Sequence, residues 1–278
     1  MKCSSALRRR QVSLAAVSML LSFAPLATHA ASQKLYDNNS SVIINPTSDQ
    51  AVTSWLVNGV SYMPLQGFYY RVGGVGGESA ISTIPLVNQT LLSANSLSVT
   101  YANALFSLEA TYSLVGGAPG SGEASLSEQI KVTNLSGSNL DFHFFQYADF
   151  DLAGTFTGDT VQLGKNLQGL YNEAFQYDGD TIADTVVTPG ANFGQVSAFP
   201  VLLNELTDNL PTTLNGASGP LTGDVAWAFQ WDRVLAAGGS FIIGIDHAIY
   251  AAPVPEPTTF AILGLSTLLF AINRRKRS

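Results

Sequence analysis

Cysteine is almost missing from this chain: Cys3 is the only one in 278 residues. It falls in a segment laid out as a secretory signal peptide. Lys2, Arg8, Arg9 and Arg10 precede an apolar stretch from Val12 to Leu26, and small residues from Ala27 to Ala30 supply a cleavage site. Cleavage is expected after Ala30, with the Sec translocon as partner, because Gln11-Val12-Ser13 suits the twin-arginine pattern poorly. Cys3 lies ahead of the apolar stretch, so it is not a lipoprotein cysteine. The exported chain then has no thiol, which excludes disulfides, thiolate metal ligands and a cysteine nucleophile.

Basic residues are the second shortage. Of 13 Lys and Arg, eight sit at the two ends, leaving Lys34, Arg71, Lys131, Lys165 and Arg233 between them. Nineteen of the 20 acids lie in the same interval, so the body carries a formal charge of about −14. No basic patch exists for nucleic acid or anionic lipid; neutral polymers and divalent cations suit this surface better. Familiar catalytic signatures are missing too. There is no His-Glu-x-x-His, Gly-x-Ser-x-Gly or Ser-x-x-Lys, so no enzyme is expected. His247 follows Asp246 in a strand-like run, where neighbours point to opposite faces and form a poor dyad.

What the body does have is short alternating runs of β-branched and aromatic residues. Thr53 to Met63 reads as a hairpin turning at Asn58-Gly59, since that pair accepts the positive φ angles of a type I′ turn. Leu97 to Ala102, Leu105 to Val115 and Ala124 to Thr133 continue the series. Leu140 to Leu152 places Leu140, Phe142, Phe144, Ala148, Phe150 and Leu152 on one face, with Asp141, His143, Tyr147, Asp149 and Asp151 on the other. Phe199 to Asp208 is the one helix expected. Val225 to Trp231 and Ser240 to Tyr250 are read as a closing hairpin. The fold class expected is all-β: an antiparallel β-sandwich body with one short helix, plus an N-terminal signal helix and a C-terminal transmembrane helix.

Two features of the body suggest binding. Asp149, Asp151 and Asp159 present three carboxylates in one stretch, YADFDLAGTFTGD. Calcium, which takes six to eight oxygen ligands, is the cation they would suit; the plainer reading is solvated acids on an edge strand, and no other cofactor is expected. Tyr69, Tyr70, Tyr147, Tyr171, Tyr177, Trp227 and Trp231 offer rings for stacking on sugars, against the competing reading that they fill the core.

The tail from Val254 to Ser278 has three parts in order: Pro255-Glu256-Pro257, an uncharged apolar run from Phe260 to Ile272, and the cluster Arg274, Arg275, Lys276, Arg277. The prolines end the preceding structure, and the basic cluster stays cytoplasmic. At 1.5 Å per residue the apolar run spans only about 20 Å of a roughly 30 Å hydrocarbon core, short for a permanent anchor. This arrangement resembles the PEP-CTERM sorting signal of Gram-negative bacteria. The resemblance implies that an exosortase is the processing partner, with export, transient anchoring by the C-terminal helix, then release to the cell surface or extracellular matrix.

The expected organisation is therefore a signal peptide at 1–30, a β-sandwich body at 31–252 and a sorting segment at 253–278. Its expected function is that of an exported surface or matrix protein, structural or binding extracellular polysaccharide. The alternative is a secreted carboxylate-dependent hydrolase acting on polysaccharide.

Overall fold

Runs of β-branched and aromatic residues punctuated by Gly and Asn make strands along nearly all of the residues, 32–251, that the computed structural model describes. The expected signal and tail helices, Ala30, Pro255, Glu256, Pro257, Arg274, Arg275, Lys276 and Arg277 lie outside that range. The described residues open with two hairpins, β1 (Gln33–Asp37) with β2 (Ser40–Ile44) and β3 (Val52–Val57) with β4 (Val60–Met63). Between β3 and β4, Asn58 and Gly59 take φ of 50° and 81°, the two positive angles that a type I′ turn requires. β5 (Leu65–Val72), β6 (Ser79–Ala80), β7 (Leu86–Ser93), β8 (Ser96–Ala102), β9 (Phe106–Gly116) and β10 (Glu123–Asn134) follow. Next come β11 (Leu140–Asp149), β12 (Asp159–Lys165), β13 (Tyr171–Asp178), β14 (Thr181–Ala191) and β15 (Phe193–Ala198). The helix α1 (Val201–Glu205) precedes β16 (Leu221–Gly223), β17 (Val225–Leu235) and β18 (Ser240–Tyr250).

These strands form two antiparallel nine-stranded sheets. The first has the order β1-β2-β3-β5-β11-β17-β15, with β4 on β3 and β6 on β5; the second runs β16-β12-β13-β14-β18-β10-β9-β8-β7. Their facing sides bury one continuous core that includes Trp55, Phe68, Phe106, Phe142, Phe144, Trp227, Phe229 and Trp231. Each large side chain of this kind contributes roughly 1.5–3 kcal/mol on burial, which is how a body without disulfides is held. Indole N–H groups are mostly satisfied inside it: Trp55 Nε1 donates to Ser40 Oγ at 2.9 Å and Trp231 Nε1 to the Pro189 carbonyl at 2.8 Å.

Three local expectations change. The helix is shorter than its leucine stripe implied, because only Val201–Glu205 is helical and Asn209 turns the chain at φ 66°. The closing hairpin is not one. β17 pairs with β11 and β15 in the first sheet while β18 pairs with β10 and β14 in the second, so the turn at Gly238-Gly239 carries the chain across the sandwich. Asn134 pins that crossover by donating from Nδ2 to the carbonyls of Leu235 (2.9 Å) and Ala236 (3.0 Å), and from its backbone N–H to Gly239 (2.9 Å). Finally, β11 is no edge strand: β5 and β17 flank it.

Candidate functional site

β11 alternates as its sequence predicts, yet both of its faces are covered. Phe142, Phe144 and Ala148 face the second sheet. On the other side His143, Phe145, Tyr147 and Asp149 stand in rungs with residues of β5 and β17: Arg71–His143–Asp232, Tyr69–Phe145–Gln230 and Gly67–Tyr147–Ala228. A strap of residues 199–220 lies over this face. Leu202 and Leu206 of and beside α1, with Leu214, pack on Tyr69, Phe145, Tyr147, Ala226 and Ala228. Polar groups sew the strap down: Arg71 Nη1 meets Glu78 Oε1 at 2.7 Å and donates to the Thr212 carbonyl at 3.0 Å. Thr212 N donates to Glu78, Leu214 N to Gln230 Oε1 and Asn215 N to Gln195 Oε1. Gly77 is required beneath it, since a Cβ there would collide with the Asn209 backbone.

At one end of this face four carboxylates gather: Asp149 closing β11, Asp151 just beyond, Asp159 opening β12 and Asp224 just before β17. Asp149 is 7% exposed and its Oδ1 has no hydrogen-bond partner in the protein. Burial first, then the charges of Asp151, Asp224 and Asp159, push its carboxyl from 3.8 up to about 7. Asp159 is raised to about 6 by burial, although its Oδ2 accepts from Leu152 N (3.1 Å) and Gln176 Nε2 (2.7 Å). Asp151 is raised by burial and then Asp224. The Tyr147 phenol is pushed up by burial above all, with Asp149 next. The three acids singled out in the sequence thus feel one another, and Asp224, 65 positions beyond Asp159, joins them through strand register that no spacing rule reveals. Among the described residues no group of three or more His, Cys, Asp or Glu side chains is arranged to hold a metal ion. Near neutral pH the cluster can hold a proton on Asp149 and give it up.

The two histidines divide between the faces. His247 is buried between the sheets, its Nδ1 at 2.7 Å from Thr185 Oγ1 and its Nε2 at 3.6 Å from Glu128 Oε2. Trp55, Phe150 and Trp227 surround the ring, and Glu128 also accepts from Gln66 Nε2 at 2.6 Å. With His247 1% and Glu128 2% exposed, this is a buried core network, in which Glu128 Oε1 and Gln66 Oε1 have no hydrogen-bond partner in the protein. Asp246 points the other way and accepts from Ser127 Oγ at 2.6 Å. His143 sits between two carboxylates on the strapped face, Nδ1 lying 2.6 Å from Asp232 Oδ1 and Nε2 3.6 Å from Asp141 Oδ2. Nothing local in the sequence signals the His143–Asp232 pair, because the partners are 89 residues apart. Of the rings proposed for stacking, Tyr69, Tyr147, Tyr171, Trp227 and Trp231 are buried; Tyr177 is exposed.

The two-sheet fold has counterparts among solved proteins. The described fold is similar to a galactose mutarotase-like protein from Lactobacillus casei (TM-score 0.52, 10% identity, 79% of this chain and 100% of that one). It is similar to a galactose mutarotase related enzyme from Lactobacillus acidophilus (TM-score 0.52, 10% identity, 80% and 98%). A bacterial glucoamylase complexed with acarbose is similar over 76% of this chain but only 30% of its own length (TM-score 0.54, 9% identity). At these identities the likeness is one of fold alone. No curated protein matches the chain. Residues 253–277 match the PEP-CTERM protein-sorting motif. The tail thus carries a PEP-CTERM sorting motif, which supports an exported, exosortase-processed product.

Proposed function

We propose that the chain delivers a polysaccharide-binding, non-catalytic β-sandwich to the cell surface or extracellular matrix. Residues 1–30 act as the signal, 31–252 as the working body and 253–278 as the removable address. The observation that carries this reading is the pairing, in one chain, of a sorting motif at 253–277 with a sandwich like those of proteins named for galactose mutarotase and glucoamylase. The acidic, thiol-free body favours neutral polymer over polyanion.

A hydrolase is the second reading, and one observation favours it. Asp149 is raised to about 7 beside other carboxylates, as a general acid requires. Against it, Asp149 and Tyr147 are buried, at 7% and 0% exposure, and Tyr147 packs under the strap. Incubating the released protein with the producing cell's own exopolysaccharide separates the two. Saturable binding with unchanged polymer length is expected; accumulating oligosaccharide would establish the hydrolase instead.

A further inference from the structure

The side of the second sheet that faces away from the core is not uniform. Across β8, β9 and β10 its outward positions are mostly small hydroxyls, among them Ser98, Thr100, Ser107, Thr111 and Ser125. Three strands over, the same face carries large rings. β13 presents Phe175 and Tyr177, 37% and 42% exposed, and β18 presents Tyr250, 48% exposed, while their neighbours Ala174, Gln176 and Ile249 are buried.

Register places the two tyrosines along one line across the strands, with Phe175 beside it on the next rung. Tyr177 pairs with Ile182, and Ile182 pairs with Tyr250, so the two tyrosines stand two strand spacings apart, about 9–10 Å. Phe175 sits beside Tyr177 with ring centroids 5.9 Å apart and pairs across to Asp184. Beyond Tyr250 the line continues into an open depression of about 200 Å³, bordered by Ala248, Ser125, Glu123 and Val115.

Chemistry selects the occupant. An exposed tyrosine joins an apolar ring face to a polar tip, which matches the C–H face and hydroxyl rim of a pyranose. Asp184, Asp246 and Glu123 edge the line and supply acceptors for hydroxyl groups, and no Lys or Arg stands in the paired rungs. The same acids repel a polyanionic glycan, and a second copy of this face would bring acid against acid.

We propose that Tyr177, Tyr250 and Phe175 form a binding platform for a neutral polysaccharide, with sugar rings stacked on the two tyrosines and the chain running on into the depression. The proposal rests on the polymer-binding reading above and assigns that binding to the second sheet, on the opposite side of the sandwich from the strapped face.

The test is affinity electrophoresis of the exported protein in gels cast with a β-glucan, a galactomannan, amylose or, as the anionic comparison, alginate. Retardation is expected in at least one neutral gel and not in alginate. Tyr177→Ala and Tyr250→Ala should each weaken the apparent affinity roughly tenfold, about 1.4 kcal/mol, with the melting temperature unchanged. Tyr36→Ala, at a more exposed tyrosine (61%) on β1 of the other sheet, should bind like the parent. Parent-like retardation of the Tyr177→Ala/Tyr250→Ala double variant would overturn the platform while leaving polymer binding in place. No retardation of the parent in any gel would overturn polymer binding and the platform together. A dimer by size exclusion that the double variant abolishes would make this face a contact between copies and overturn the proposal as well.

Discussion

Single residues show where this body departs from an inert sandwich. Asp149 is raised from 3.8 to about 7, and Asp159 to about 6. Both hold a proton more tightly folded than unfolded, so the folded state binds more protons through this interval. Their contribution is fully present below the unfolded value and is lost as pH rises through 6 to 7. The melting temperature should therefore fall between pH 5 and pH 8. Asp149→Asn should flatten that fall and stabilise the protein at pH 8 by about 1–3 kcal/mol, because it removes a poorly solvated charge. A melting temperature that rises over the same range would refute this account of the cluster. The cluster was half legible: Asp149 and Asp151 share a face by simple alternation, and Asp159 is close in sequence. Asp224 and the His143–Asp232 pair were not, because only strand order sets such partners side by side. Tyr177 and the buried tryptophans looked alike in the sequence, since alternation tells which residues share a face and not whether that face meets solvent.

At the scale of elements, two connections decide the shape of the molecule. The strap 199–220 closes the outer face of the first sheet through a small leucine cluster. Leu202→Ala or Leu206→Ala should cost about 2–5 kcal/mol, measured by denaturant unfolding, and should speed proteolysis within the strap; a change below about 0.5 kcal/mol would mean the strap is only loosely seated. The β17-to-β18 crossover depends on Asn134, whose side chain holds two carbonyls of the turn. Asn134→Ala leaves those acceptors unpaired and should cost about 2–4 kcal/mol, again read from denaturant midpoints. The same crossover explains why the closing hairpin was misread. Two long apolar strands joined by a glycine turn carry the same pattern whether they pair or part, and the residue that separates them sits a hundred positions upstream. The Asn58-Gly59 hairpin was legible because its signal is wholly local: two residues able to take positive φ between alternating runs.

For the whole molecule, the sandwich and the tail answer different questions. The all-β class followed from short alternating runs, and the tail's three-part order pointed to sorting; the match over residues 253–277 agrees with it. Neither the strap nor the tyrosine platform was visible, because each is assembled from strands distant in sequence. Charge belongs to this scale as well: with about 14 excess acids in the body, self-association should be weakest at low salt, and export of a compact acidic body is compatible with solubility outside the cell. The central claim is that this body leaves the cell without either end, the tail serving as an address that is removed. Intact mass of the protein recovered from the culture medium tests it most directly. The expected product begins near Ala31 and ends at or before the Pro255-Glu256-Pro257 region. A released protein still carrying Arg274 to Arg277 would contradict it.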